Sequence, residues 1–155
     1  MTVFLKSAEV AAEIKTRLQG IRLANGCETD IGAQVFMGRR KLPGDDEPPC
    51  VMVLEGEDRV DDSAGRRLTA QIKVRQEYLI DGFDVCDPDN PNDKGHAMIR
   101  DIKRAIFANN NRMLDGKVFS VDYMGRDIGP RPDGVALVQA RVMIAVTFAE
   151  DLSNP

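Results

Sequence analysis

From Leu68 toward Ile80 the chain alternates: Leu68, Ala70, Ile72 and Val74 are apolar, whereas Thr69, Gln71, Lys73 and Arg75 are polar. Successive side chains of a strand point to opposite faces, so this run has one dry face and one wet face. Val138, Ala140, Val142, Ile144, Val146 and Phe148 repeat the pattern in a longer strand. Strands of this kind belong to an antiparallel sheet covered on one side.

The cover is legible too. Val10, Ile14, Leu18 and Ile21 form the apolar stripe of a helix, with Ser7 at the capping position, Glu9 in the first turn and Asn25-Gly26 as the stop. Met98, Ile99, Ile102, Ala105 and Ile106 form a second stripe, in a helix that starts at Asn92 or Asp93 and ends near Asn109-Asn110-Asn111. Arg100, Asp101, Lys103 and Arg104 face water on that helix. Ile31 to Met37, Cys50 to Glu55 and Val118 to Tyr123 read as further strands. Asp81 to Asp93 reads as a turn-rich connector and Met124 to Gly134 as a turn. The order α-β-β-β-α-β-β gives an α+β fold, an antiparallel β-sheet with two α-helices on one face, as a single domain over residues 1–155. Leu68, Ile72, Val74, Val142, Ile144 and Val146 are expected to be buried against Ile14, Leu18, Ile102 and Ile106.

Charge and cysteine usage narrow the function. A formal net charge of -4 argues against a dedicated nucleic-acid binder. No apolar run approaches the roughly 18 residues of a membrane span, and MTVFLKSAEV does not read as an export signal. Cys27, Cys50 and Cys86 lie far apart without metal spacing and read as free thiols.

Motifs for catalysis are wanting. His96 is the only histidine and has no partner marked by a motif, which suits a surface or capping role. Asp87, Asp89 and Asp93 lack the glycine and closing glutamate of a calcium loop. Glu55, Glu57, Asp58, Asp61 and Asp62, with Lys73 on the next strand, could hold Mg²⁺ for nuclease chemistry, but read better as one solvated loop paired with Arg59, Arg66 and Arg67. No glycine-rich phosphate loop occurs. The expectation is a protein with no catalytic residue, no cofactor and no metal.

Two charged loops stand out. VFMGRRKLPGDDEPPC emits Arg39, Arg40 and Lys41, then Asp45, Asp46 and Glu47, and GEDRVDDSAGRR carries Glu57, Asp58, Arg66 and Arg67. Arginine forks onto carboxylates, so separated blocks of opposite sign suit copies of one protein meeting head to tail. Arg39, Arg40, Lys41, Asp45, Asp46, Glu57, Asp58, Arg66 and Arg67 are therefore the candidate interface residues, with Arg39 and Arg40 expected to pair with a neighbour's carboxylates.

The succession ETDIGAQVFMGRRKLPGDDEPPCVMVLEGED, DPDNPNDKGHAMIRDIKRAIF and VALVQARVMIAVTFAEDL resembles the tail terminator (tail completion) proteins of long-tailed bacteriophages and prophages. The resemblance spans nearly the whole chain and rests on element order, length and these blocks. It implies a homo-oligomeric ring, commonly a hexamer, that caps the tail tube, stops its polymerisation and presents the surface on which the head docks. It further implies the tail tube protein and a head-tail connector or neck protein as partners, DNA passing through the lumen without specific binding, and assembly in the bacterial cytoplasm into the virion tail. Other readings are a different neck or tail-completion adaptor, a tail tube subunit, or a metal-dependent nuclease using the 55–62 acids.

Overall fold

The computed structural model describes residues 6–41, 43–44, 46–61, 70–108, 118–129 and 136–153. Helices α1 (Lys6–Gln19) and α2 (Pro91–Phe107) accompany strands β1 (Val35–Met37), β2 (Cys50–Val60), β3 (Gln71–Val85), β4 (Ser120–Ile128) and β5 (Leu137–Asp151). Two 3₁₀ turns, Leu23–Asn25 and Ile31–Ala33, intervene between α1 and β1. The strands form one sheet in the order β1-β2-β3-β5-β4. The α+β class expected from sequence holds, but the sheet is mixed. β1 runs parallel to β2, while every other pairing is antiparallel.

The β3–β5 ladder is the spine. It pairs residues from Gln71↔Asp151 through to Val85↔Leu137 without interruption. Val74, Tyr78 and Ile80 of β3 share a face with Val142, Ile144, Val146 and Phe148 of β5, and all are buried. Val10, Ile14 and Leu18 of α1 and Met98, Ile102 and Ile106 of α2 belong to the same core cluster. This helix side is therefore dry because both amphipathic stripes close on it. Of the residues expected in the core, Ile72 is partly buried against the cluster and Leu68 lies outside the described residues. Ala70, expected on the dry face, is exposed.

Several boundaries differ from the expectation. The helix α1 is already formed at Lys6, so Ser7 sits in its first turn and not at its cap. The helix ends at Gln19, and Asn25-Gly26 instead closes the first 3₁₀ turn, with Gly26 at φ 82° donating to the Leu23 carbonyl. β3 continues to Val85, through what reads as a connector. The reason lies in the packing: a Cβ at Gly82 would stand 3.2 Å from Met98 Sδ and 3.3 Å from Ile31 Cδ1, so glycine is there to seat the helix layer. β2 likewise runs on to Val60, and β4 extends to Ile128 through the segment expected to turn.

One tie between layers is polar. Asp101 of α2, only 1% exposed, accepts from the Glu28 and Thr29 backbone N–H groups and from Thr29 Oγ1 at 2.7 Å. Sequence reading placed Asp101 on the wet face of α2, which is a correction. Four donor contacts satisfy its carboxylate and fasten the 27–30 segment to the helix. Arg17 of α1 similarly donates to the Ala105 and Ile106 carbonyls at the C-terminal end of α2, where the helix leaves carbonyls unsatisfied.

Candidate interaction surface

The loop after β1 begins at Gly38, whose φ of 77° turns the chain and whose N–H donates to the Val53 carbonyl at 2.7 Å. Arg39 then lies over the Phe36 ring, 4.5 Å from its centroid, and forks onto Glu47, with Nη2 donating to Oε1 at 2.7 Å. Oε1 of Glu47 also accepts from the Gly44 N–H, and the Glu47 carbonyl accepts from Gln34. Glu47 thus closes the loop on itself. The hydrogen bonds from Arg39, then that from Gly44, hold its carboxyl down at about 2, and the same pair raises Arg39.

The expectation for Arg39 is a neighbour's carboxylate; within one chain its charge is met by Glu47, eight residues on. The sequence carried a signal: Pro43-Gly44 between the two charge blocks is a turn dipeptide that folds one block back on the other. Arg40, Lys41 and Asp46 are exposed and have no ion pair among the described residues. Asp45, Asp62, Arg66 and Arg67 lie outside the described residues. Glu57 and Asp58 stand on β2, not in a loop, and Glu57 pairs with Arg59 at 3.7 Å, both well exposed. The structure therefore separates the candidates into a self-closed loop and a charged strand.

The loop's ion pair sets an acid limit. The depressed Glu47 carboxyl stabilises the closed loop fully above its ordinary value of 4.5, and that contribution is lost as pH falls toward about 2. Carboxyl-resolved NMR should find Glu47 titrating near pH 2, and Glu47→Gln should remove that step. An ordinary Glu47 titration near pH 4.5 would show that the loop is open in solution.

Beyond Val53 the outer edge of β2 has no strand partner among the described residues, because β1 covers only Val51 to Val53. Beside this edge is a groove of about 480 Å³ lined by Met37, Gly38, Arg40, Leu54, Glu55 and Leu79. β4 forms the opposite edge, where Phe119, Tyr123 and Met124 are 60%, 44% and 48% exposed. Sequence reading placed Phe119 and Tyr123 in a strand without marking it as an edge, and took Met124 into a turn. Lys103 lies over the Tyr123 ring at 4.5 Å, and Arg126 Nη1 is 3.1 Å from His96 Nδ1.

On the open face, charges meet in pairs. Arg141 forks onto the buried Asp81 at 2.7 and 2.9 Å, and Arg75 donates to Asp122 at 2.7 Å. These pairs explain why acids occur within strands β3 and β4. Phe36, Cys50, Met52 and Phe83 form a small second cluster, where burial pushes the Cys50 thiol up to about 11. All three cysteines are free. The acids weighed for metal binding, Glu55, Glu57 and Asp58, are strung along β2, and no three His, Cys, Asp or Glu side chains converge among the described residues. Asp87 is spent on the Asp89 backbone N–H, in a local turn.

Compared with known proteins, the chain matches no family model and no curated protein sequence. No described helix is long and apolar enough to cross a membrane.

Proposed function

We propose that this protein is a structural subunit of a phage or prophage tail, a terminator that forms a ring on the finished tail tube. One observation carries the reading: an open five-stranded sheet whose outer strands, β4 and the far half of β2, have no partner within the described chain. Unpaired edges are a liability for a monomer and a resource for an assembly. The tail-terminator resemblance, running from the first helix to the last strand, says which assembly. In that role the ring blocks further addition of tube protein, offers a neck or connector protein its docking surface, and lets DNA pass without gripping it. It acts by contact alone, with no cofactor, and its place is the virion tail.

Electron microscopy of the purified protein tests this directly. Discrete rings of uniform size are expected, and mixing them with polymerising tube protein should cap the tubes and fix their length. Long tubes from this protein alone would make it a tube subunit. A monomer at every concentration, with tubes left uncapped, would sink the ring.

A further inference from the structure

We propose that the β4 edge of one copy docks antiparallel against the free stretch of β2 of the next copy, head to tail. This rests on the ring reading and names the surfaces that would make it.

The two edges carry opposite charges on each layer. On β2, Glu55 and Asp58 stand opposite Tyr78 and Gln76 of β3 and so face the helix side, while Arg59 stands opposite Arg75 on the open face. On β4 the signs are reversed. Arg126 stands opposite Val142 on the helix side, next to Lys103 over Tyr123, while Asp122 and Asp127 stand opposite Ala145 and Arg141 on the open face. Glu55 and Asp58 have no ion pair among the described residues, and Asp122 is 47% exposed despite its bond to Arg75.

The spacing matches as well. β2 runs antiparallel to β3, β3 to β5 and β5 to β4, so β4 and β2 point in opposite directions across the sheet. A neighbour related by a simple rotation therefore presents an antiparallel edge. If Asp122 meets Arg59, then Tyr123 with its Lys103 meets Asp58, and Arg126 meets Glu55. The intervals are the same on both strands, and each contains a break in register, between Glu55 and Asp58 and between Tyr123 and Gly125. Two matched bulges keep step where one would not. The same register brings Asp127 of the open face opposite Leu54, at the groove that Arg40 also lines. Contacts between unlike edges repeat around an axis and form a ring where the rotation closes, whereas a β2–β2 contact would stop at a dimer.

The test uses two double variants of the whole chain, Lys103→Glu/Arg126→Glu and Glu55→Lys/Asp58→Lys, followed by sedimentation. Each should raise the concentration for half-assembly about tenfold or more, equivalent to about 1.4 kcal/mol. Mixing the two should restore rings of alternating copies, since the reversed edge of each variant meets its complement on the other and the native pair is kept at every second contact. The four-residue exchange should restore rings as well. A misfolded variant could capture no partner, so the mixture reports on folding as well as on docking. Native-like assembly of either double variant would overturn the proposal and leave the ring reading standing, as would failure of the four-residue exchange with a native melting curve. A native chain that never assembles would overturn both.

Discussion

Replacing Ile102 by alanine should destabilise the fold by about 2–5 kcal/mol, with no change in the denaturant slope. Ile102 is fully buried in the centre of α2, and its Cδ1 lies 3.6 Å from where a Cβ at Gly82 would stand. Truncation therefore opens a cavity directly under the spine of the sheet. The glycine opposite adds no atoms to fill it, and both flanks are fixed by the ladder. Urea titration gives the measurement, and a loss below about 0.5 kcal/mol would remove Ile102 from the core.

Asp101→Ala should cost a similar amount, about 2–4 kcal/mol, for a different reason. The substitution leaves the Glu28 and Thr29 N–H groups and the Thr29 hydroxyl without their acceptor, and Thr29 is itself 2% exposed. Asp101→Asn retains an acceptor oxygen and should lose less. Hydrogen exchange at Glu28 and Thr29 separates the local from the global effect: both amides should lose protection in Asp101→Ala before the sheet does. Unchanged protection there would mean that the donors find other acceptors.

What sequence could show here depended on whether a segment's neighbours in space left their mark on its own pattern. α2 and β5 did so, because each packs one face on a single apolar layer. β3 was half legible. From Gln71 to Val74 it alternates in the ordinary way, but Asp81, Gly82 and Asp84 look like turn residues. Asp81 is tolerated only because Arg141 stands opposite it, and Gly82 only because α2 comes so close. Neither fact is written locally. The far half of β2 is polar on both faces, since both face water, so its strand character comes wholly from pairing with β3. Parallel pairing of β1 was beyond reach for a three-residue strand with no alternation to speak of. In the charged loop, reading the two blocks as aimed outward overlooked the turn that folds Arg39 back onto Glu47.

The uninterrupted β3–β5 ladder also bears on how the chain comes to be folded. β5 is placed between β3 and β4, although both precede it in sequence. During synthesis an interior strand of the sheet is thus the last described piece to leave the ribosome. Until it arrives, β3 and β4 have a gap between them and α2 lacks the strand it packs on most extensively. Pairings this distant along the chain form slowly and leave strand edges bare while they wait. Folding should consequently finish after translation, when one closing strand converts a pair of loose fragments into a single cooperative unit.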